Sequence, residues 1–243
     1  MTGVSHLLVA SDFDGTLVPF ANDPAAVVAN PDALTALTRL AGFPQVTVAI
    51  VSGRSLVSLR EVIPAGSPYL LVGSHGAETS DQPLVLDDAQ SQALSAVDAA
   101  LTDLCTDGAW VEVKPLQRVF HVRPVTDSAL QKSKLARATA IGNQLMDKHH
   151  GLRLIPGNLV VEFSVSTVTK GTWINRYRSA HPGCTVVYAG DDTTDESVFT
   201  VLKPNDVGIK VGPGETAATV RVAGPEDLAA TLTGLIDKFN LTR

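Results

Sequence analysis

The chain has 243 residues, of which 44% are hydrophobic, 18% charged and 5% aromatic, a composition typical of globular proteins that excludes disordered and fibrous chains. Twenty-five acidic residues against 19 basic ones leave a net charge of -6, which argues against a protein that binds nucleic acid through many phosphate contacts. The two cysteines, Cys105 and Cys184, are too few for a disulfide scaffold or a cysteine-built metal site.

No targeting or membrane-spanning segment is evident in the sequence. The start, MTGVSHLLVASDFDG, lacks the basic residues of a signal peptide, and its apolar run ends before Asp12. The uncharged stretch at residues 41–53 is interrupted by Gly42 and Pro44 and is shorter than the ~20 apolar residues that a transmembrane helix needs. We therefore expect a cytoplasmic protein with no membrane partner and no nucleic-acid partner.

Short apolar runs alternate with helical patterns near both ends of the chain. Residues 31–40 and 55–63 carry leucines at helical spacing, whereas the apolar runs are too short for helices and end at glycine or small polar residues. This alternation predicts βαβ units, and therefore an α/β, Rossmann-like core with a mostly parallel sheet. The predicted strands cover residues 7–10, 46–51, 69–72, 186–189 and 207–211.

The middle of the chain follows a different order, which is helix, hairpin, helix, hairpin. This order predicts an α+β module inserted into the core. We place the insert at residues 81–165, which leaves residues 1–80 and 166–243 for the core domain. Its predicted elements are a helix over 90–104, strands over 110–113 and 119–122, a helix over 128–150, and strands over 152–155 and 159–163 around a turn at 156–158.

Acidic side chains follow the predicted strands, at the edge where a parallel sheet collects its ligands. Asp12 and Asp14 come after the first strand, two residues apart, so both face the same way on an extended backbone. Asp191 follows the fourth strand. Three carboxylates around one point repel each other unless a divalent cation lies among them. Oxygen ligands together with a substrate phosphate suit Mg²⁺, which is the predicted cofactor.

This set of side chains predicts phosphoryl transfer. Asp12 can attack phosphorus as a carboxylate nucleophile and form an aspartyl-phosphate, while Asp14 can protonate the departing alcohol and later deprotonate the attacking water. The Ser52 hydroxyl after the second strand, nearby backbone N–H groups and Lys170 before the fourth strand can hold the phosphate oxygens. We therefore expect Asp12, Asp14, Ser52 and Lys170 to be catalytic.

Each of these motifs alone has a purely structural explanation. An Asp-x-Asp-Gly sequence often forms a turn, Ser52 could cap a helix, and a single lysine is usually solvated. The sequence lacks an EF-hand glycine, a phosphate-binding loop and a serine nucleophile elbow. A loose dinucleotide-type match at 212–217 is interpreted as a turn after the fifth strand. The phosphatase hypothesis depends on the motifs occurring together at successive strand ends.

The same motifs resemble those of the haloacid dehalogenase superfamily of phosphatases. The sequence DFDGTL at 12–17 is similar to the first motif, Ser52 to the second, Lys170 to the third and GDD at 190–192 to the fourth. The resemblance spans the core, and it implies that the insert is a cap that closes over the site and selects the substrate. We expect its hinges near residues 78–83 and 164–169.

The resemblance also implies how the metal is held. Asp12, Asp191 and the backbone carbonyl of Asp14 are the implied ligands of Mg²⁺. Asp192 and Asp195 are implied to support these ligands from beside the metal.

One branch of the superfamily, the trehalose-phosphate phosphatases, is more similar. The extended fourth motif, Gly190–Glu196, is its most specific feature here, with further similarity at 73–76, 112–114, 121–123, Glu162 and 170–171. The resemblance implies hydrolysis of a phosphorylated disaccharide, trehalose 6-phosphate. The residues implied to bind this substrate are Glu112, Lys114, Arg123 and Glu162 in the cap, and Gly53, Arg54 and His75 at the seam between cap and core.

The sequence supports these sugar-binding residues only in part. The predicted hairpins carry Glu112, Lys114 and Arg123 on strands, and charged groups suit sugar hydroxyls, but few aromatic residues are present to stack on a sugar. Two alternatives remain open: a phosphatase of another sugar phosphate, and a non-catalytic sugar-phosphate sensor. Members of the family are often fused to a synthase; no such domain fits in this length, so a separate synthase is a candidate partner.

Overall fold

The computed structural model describes residues 6–19 and 27–240, which form two compact units. The core unit runs to Leu84 and resumes at Val168, and the insert unit spans Val85–Thr167. The insert unit starts four residues later than expected (85 against 81) and ends two residues later (167 against 165). Residues 1–5, part of the stretch inspected for a targeting signal, lie outside the described residues.

Strands and helices are numbered along the chain. The strands are β1 (His6–Ser11), β2 (Val46–Val51), β3 (Leu70–Gly73), β4 (Glu78–Thr79), β5 (Trp110–Lys114), β6 (Gln117–His121), β7 (Arg153–Gly157), β8 (Val160–Ser164), β9 (Cys184–Gly190), β10 (Val207–Val211) and β11 (Val220–Val222). The helices are α1 (Pro31–Ala41), α2 (Leu56–Val62), α3 (Asp88–Leu101), α4 (Ser128–Lys148), α5 (Lys170–Ala180), α6 (Glu196–Phe199) and α7 (Pro225–Asn240). Across residues 6–19 and 27–240, no helix is both long and apolar enough to span a membrane.

The core unit is built on a seven-stranded sheet with β1 at its centre. The strand order is β11-β10-β9-β1-β2-β3-β4, and all neighbours are parallel except β3 and β4. Because β9, β1 and β2 are parallel neighbours, their carboxyl ends bring Asp191, Asp12 and Ser52 to the same edge of the sheet. The predicted α/β fold with a parallel-sheet core is confirmed.

Helices cover both faces of this sheet. Alternate β1 residues point to opposite faces, so that Leu7 and Val9 pack in a cluster with α1 and α7, while Leu8 and Ala10 pack in a cluster with α5. All four side chains are at most 3% exposed, as expected for a parallel sheet buried on both faces. The start of α1 is fixed by Asn30, whose side chain accepts two backbone N–H groups of the first turn.

The last part of the core unit contains two elements that the sequence analysis missed, β11 and α7. The turn that precedes β11 is as predicted, since Gly212 and Gly214 both adopt positive φ, at +75° and +100°. The short strand β11 then pairs with β10, and α7 packs against α1. Strand β11 thus extends the sheet at its edge, and α7 adds to the apolar cluster on one face of it.

The insert unit is a four-stranded antiparallel sheet with two helices on one face. The strand order is β5-β6-β8-β7. Phe120 and Phe163 on the helix-covered face are fully buried. At Gly142 helix α4 lies so close to the sheet that a Cβ atom there would be 2.5 Å from Leu154 Cδ1. The other face of the sheet is not covered by either helix of this unit.

Two predictions within the insert unit are wrong in detail. Arg123 does not lie on a strand, because β6 ends at His121 and the chain turns immediately after it. Pro156 and Gly157 belong to β7 and not to the hairpin turn. Proline is tolerated there because β7 is an edge strand, and the turn is made instead beyond residue 157, where Leu159 adopts a φ of 61°.

Candidate active site

Asp12 lies at the carboxyl edge of the core sheet, directly after β1. Its backbone N–H donates to the carbonyl of Ala189 in β9 (2.8 Å), which holds it against the end of the neighbouring strand. Its side chain is 7% exposed, and Oδ1 lies 2.8 Å from Lys170 Nζ. Strand β1 thus places a buried carboxylate at the carboxyl edge of the sheet, where ligands bind in folds of this kind. This carboxylate is fixed through both its backbone and its side chain.

Lys170 joins two buried carboxylates. Its ammonium lies 2.8 Å from Asp12 Oδ1 and 2.8 Å from Asp195 Oδ1, and its side chain is only 2% exposed. Burial lowers the pKa of this lysine, but the two aspartates raise it by more, so it keeps its proton. The next residue must be glycine: a Cβ atom on Gly171 would lie 1.9 Å from the backbone oxygen of Ser197, where α5 approaches α6.

Asp195 organises the loop that follows β9. It is fully buried, and each of its carboxylate oxygens accepts two hydrogen bonds. The donors are Lys170 Nζ (2.8 Å), Tyr188 Oη (2.6 Å), Asp191 N (3.0 Å) and Asp192 N (3.0 Å). A Cβ atom on Gly190 would lie 2.3 Å from Asp195 Cγ, so only glycine lets the loop close around this side chain.

Asp191 is held from two sides at the end of β9. Its Oδ1 accepts a hydrogen bond from Thr16 Oγ1 (2.7 Å), and its backbone carbonyl accepts one from Lys210 Nζ. Lys210 is 4% exposed and lies in the neighbouring strand β10. Asp192, by contrast, is exposed and accepts from the N–H of Thr193 (2.7 Å), so the structure directs it to the turn and not to the carboxylate cluster.

Three of these supporting residues were missed by the sequence analysis: Thr16, Tyr188 and Lys210. Thr16 belongs to the DFDGTL segment and could have been included with it. Lys210 is a charged residue inside the apolar run VGIKV, and a charge in a predicted buried strand is a signal that a polar group lies nearby. No comparable signal distinguishes Tyr188 within VVYA from an ordinary core aromatic.

The carboxylates form a cluster suited to a divalent cation. One ligand oxygen from each of Asp12, Asp191 and Asp195 lies within 4.8 Å of the others. Burial raises the pKa of Asp12 to about 7, against the opposing effect of Lys170 and with a further increase from Asp195. Burial also raises the pKa of Asp191, which the hydrogen bond from Thr16 partly offsets. Because both oxygens of Asp195 already accept two hydrogen bonds, Asp12 and Asp191 are the side chains that fit as ligands.

Asp14 is bound to Arg54. Arg54 Nε donates to Asp14 Oδ2 (2.7 Å) and Nη2 donates to Oδ1 (2.6 Å), a two-point pairing that engages both oxygens of the carboxylate. The guanidinium also lies 5.5 Å from the centre of the Phe13 ring. The hydrogen bond to Asp14 raises the pKa of Arg54, although partial burial opposes this. The sequence did not indicate this contact, since Arg54 was expected at the seam with the cap.

The other predicted residues of the core unit lie together after β2 and β3. Ser52 is 1% exposed, and its Oγ accepts from the N–H of Arg54 (3.2 Å). The N–H of His75 donates to the Ser52 carbonyl (2.9 Å). The His75 ring lies against Gly53, where a Cβ atom would be 2.7 Å from Cε1. His75 itself adopts a φ of 56°, which is costly for a residue with a side chain.

The insert unit brings three of its four predicted residues to one face. Glu112 and Lys114 are two residues apart on β5 and therefore point to the same face. Val119 of β6 pairs with Glu112 on one side and with Glu162 of β8 on the other, so Glu162 lies on this face too. Lys114 Nζ is 3.7 Å from Glu112 Oε1. Burial raises the pKa of Glu162, which the charge of Lys114 partly offsets. Arg123 lies beyond the end of β6 and is exposed, and it does not share this strand register.

The motifs and their geometry agree with a sequence match that covers most of the chain. Residues 10–229 match the family model of trehalose-phosphatases. The chain belongs to the trehalose-phosphatase family. The trehalose-6-phosphate phosphatase of Escherichia coli K12 is 31% identical to it over 231 residues, which cover 89% of this chain and 82% of that protein.

A second relative in the trehalose-phosphatase family is longer. The bifunctional trehalose-6-phosphate synthase/phosphatase of Thermoproteus tenax is 32% identical over 235 residues, covering 93% of this chain and 31% of that protein. The chain therefore spans about a third of the length of that relative.

The fold agrees with family membership. A solved structure described as a trehalose-6-phosphate phosphatase related protein superimposes with a TM-score of 0.73 at 24% identity, covering 97% of this chain and 99% of that one. At this identity the likeness concerns the fold alone. The predicted resemblance and the predicted enzyme class, a phosphoric monoester hydrolase, are confirmed by the family match.

Proposed function

We propose that this protein hydrolyses trehalose 6-phosphate to trehalose and inorganic phosphate with the help of Mg²⁺. The observation that carries the proposal is the meeting of Asp12, Lys170 and Asp191 at one edge of the core sheet, with Lys170 Nζ 2.8 Å from Asp12 Oδ1. Family membership supports the reaction class, and the similarity to the trehalose-6-phosphate phosphatase of Escherichia coli supports the substrate.

The residues present fit a magnesium ion. The clustered carboxylates repel each other, and this repulsion contributes to the raised pKa values of Asp12 and Asp191. The side chains of Asp12 and Asp191 with the backbone carbonyl of Asp14 form the proposed ligand set, which is all oxygen as Mg²⁺ prefers. When bound, the ion neutralises phosphate charge and lowers the repulsion between substrate and nucleophile.

Asp12 is the proposed nucleophile. One of its carboxylate oxygens forms a bond to phosphorus while the bond from phosphorus to the sugar oxygen breaks, which leaves an aspartyl-phosphate and a free sugar alcohol. Lys170 and the Ser52 hydroxyl hold the non-bridging oxygens as their charge redistributes. Lys170 is suited to this because Asp195 fixes its ammonium from the other side, at 2.8 Å.

Asp14 is the proposed acid and base. It gives a proton to the departing sugar oxygen and then takes one from the water that attacks phosphorus in the second step, which releases phosphate and restores Asp12. Proton transfer requires an oxygen of Asp14 that is not engaged by Arg54, and in this structure Arg54 binds both. We therefore propose that the Arg54 guanidinium transfers to the substrate phosphate on binding, where a two-point contact is equally favourable.

Asp195 and Asp192 have different proposed roles. Asp195 supports the site by holding Lys170 and the backbone of the metal-binding loop, and it does not act as a direct ligand. Asp192 stabilises the following turn. The superfamily resemblance implies the same supporting role for Asp192 and Asp195, whereas we propose different roles for the two.

The insert unit is the proposed source of substrate selectivity. Glu112, Lys114 and Glu162 share one face of its sheet and offer both acceptors and a donor to sugar hydroxyls. Arg123 and His75 remain proposed substrate contacts on the family resemblance alone. A separate synthase partner also remains a prediction, since the bifunctional Thermoproteus tenax relative is a single longer protein.

Phosphate release from trehalose 6-phosphate and from glucose 6-phosphate, each with Mg²⁺ and with a chelator, tests the proposal. We expect metal-dependent turnover of trehalose 6-phosphate with a kcat/KM at least about tenfold above that for glucose 6-phosphate. Equal turnover of the two would favour a broader sugar phosphatase. Binding of trehalose 6-phosphate without turnover would favour a non-catalytic sensor.

A further inference from the structure

The uncovered face of the insert sheet carries an exposed tryptophan at the start of β5. Trp110 pairs with His121 in the register of β5 and β6, so their side chains stand next to each other on the same face. The two rings stack with centroids 4.5 Å apart and planes only 9° from parallel. Trp110 nevertheless keeps 45% of its surface exposed, so the stack covers one side of the indole and leaves the other available.

His121 holds this ring in place and ties it to the charged residues of the face. Its Nε2 lies 3.0 Å from Glu112 Oε2, while Glu112 Oε1 faces Lys114 Nζ at 3.7 Å. Trp110, Glu112 and Lys114 alternate along one strand and therefore share one face. This face thus presents a flat aromatic surface followed directly by carboxylate and ammonium groups. We call this set of side chains the row; it consists of Trp110, His121, Glu112 and Lys114.

The chemistry of this row fits a carbohydrate better than a protein surface. A pyranose ring presents apolar C–H groups on its faces and hydroxyls around its rim, so an aromatic plane beside charged hydrogen-bonding groups matches both. A protein-docking patch would be expected to surround the tryptophan with apolar residues. Here Trp110 is followed along its own strand by Glu112 and Lys114, with Glu162 two strands away, and the exposed Ile155 of this face lies on β7 at the opposite edge of the sheet.

We propose that Trp110, supported by His121, is a stacking platform for one glucose ring of the disaccharide phosphate. The inference rests on the proposed function and extends it. It assigns to Trp110 the discrimination between a disaccharide phosphate and a smaller phosphoester, through stacking of the indole on a sugar ring. His121 acts through Trp110 and Glu112 as a positioning residue. The platform supplies the aromatic contact that the sequence composition alone did not indicate.

The kinetic test compares Trp110→Leu, which removes the aromatic plane, with Trp110→Phe, which keeps one, and with Val113→Ala. Val113 is 68% exposed on the same strand but points to the opposite face, so it is the matched control. With trehalose 6-phosphate, Trp110→Leu should raise KM about tenfold and change kcat by less than about threefold, and Trp110→Phe should recover most of the loss. With p-nitrophenyl phosphate, the loss of kcat/KM should be at least about fivefold smaller.

A binding measurement provides a second readout. The chain has two tryptophans, and Trp173 is 3% exposed in the core unit, so Trp110 should dominate any ligand-induced change in fluorescence. Titration with trehalose should shift the emission of the wild-type protein in a saturable way, and the shift should be lost in Trp110→Leu. Circular dichroism and the thermal midpoint should match the wild type, because the residue is exposed.

The platform would be overturned by an unchanged KM in Trp110→Leu, by an equal loss with both substrates, or by a trehalose response that survives in Trp110→Leu. A Trp110→Phe variant as impaired as Trp110→Leu would also overturn it. Failure of the proposed function would look different, since the wild-type protein would then not release phosphate from trehalose 6-phosphate whatever residue stood at position 110.

Discussion

The polar groups of the core unit and of the insert unit are organised in contrasting ways. In the core unit, Asp195 is fully buried and uses both carboxylate oxygens twice, and Lys170 lies 2.8 Å from two carboxylates. In the insert unit, Glu112 and Lys114 are 3.7 Å apart, with side chains 37% and 31% exposed. Chemistry on phosphorus needs groups fixed in advance, and the groups proposed to bind the sugar are more exposed and less tightly paired than those of the core unit.

The largest effect on activity is expected from a substitution of Asp12, in the core unit. Asp12→Asn should lower kcat by at least about a thousandfold, because an amide cannot attack phosphorus, while the folded structure is kept. Phosphate release under saturating substrate measures this effect. Asp192→Asn removes the same charge from an exposed carboxylate and should change kcat by less than about tenfold. Comparable losses in both variants would contradict the assignment of the nucleophile.

The second prediction concerns the close packing behind the site. Gly171→Ala should destabilise the protein by more than about 3 kcal/mol, because its Cβ atom would lie 1.9 Å from the Ser197 backbone oxygen. Gly234→Ala in α7 is the control, since a Cβ atom there meets nothing within 4 Å and the change should stabilise by about 0.5 kcal/mol. Chemical denaturation measures both, and equal stabilities would show that the α5–α6 contact is not rigid.

A smaller effect is expected from the buried lysine of β10. Lys210→Met should weaken Mg²⁺ binding about tenfold, because the Asp191 carbonyl loses its donor and the loop that carries a proposed ligand is less well held. Isothermal titration with Mg²⁺ measures this without substrate. Lys203→Met, which removes an exposed lysine near the start of β10, should bind the ion like the wild type. An unaltered affinity in Lys210→Met would remove this residue from the site.

The smallest effect should appear in the insert unit, where Glu162 can be changed with a gain in stability. Its folded-state pKa is raised above the ordinary 4.5, so its contribution to stability is present below that pH and is lost as the pH rises through the folded-state value. Glu162→Gln should therefore be more stable than the wild type at pH 7.5, by less than about 1 kcal/mol, and the difference should vanish below about pH 4.5.

The same variant should bind substrate less well. Loss of the carboxylate should raise the KM for trehalose 6-phosphate about threefold to tenfold if Glu162 accepts a sugar hydroxyl. Denaturation at two pH values and steady-state kinetics separate the two consequences. A variant that is both less stable at neutral pH and unchanged in KM would contradict the reading of this face as a recognition surface.

The placement of Asp12, Ser52 and Asp191 at one edge of the sheet could be predicted from the sequence because it depends only on strand order. Short apolar runs ending at Asp12, Ser52 and Asp191 required only a parallel sheet to bring them together. Helix α7 could also have been found, since Leu228, Leu232 and Ile236 recur every four residues.

The contacts that the sequence did not reveal depend on side-chain conformation or on strand register. The pairing of Arg54 with Asp14 joins residues 40 positions apart through flexible side chains, which no local pattern encodes. The stacking of Trp110 on His121 follows from the register of β5 and β6, which cannot be read from composition. Arg123 was wrongly placed on a strand for a related reason. The residue at which a strand ends depends on its pairing, and β6 ends at His121, two residues before Arg123.

The most direct measurement is a rapid acid quench of the Asp14→Asn variant with Mg²⁺ and p-nitrophenyl phosphate carrying a labelled phosphoryl group, a substrate whose leaving group departs without the proton that Asp14 supplies to a sugar alcohol. We expect label bound covalently to the protein and located at Asp12 by peptide mapping, because this leaving group needs no proton in the first step, whereas hydrolysis of the aspartyl-phosphate still needs the base that the variant lacks. Label found only as free phosphate or unreacted substrate, or attached at a residue other than Asp12, would contradict this expectation.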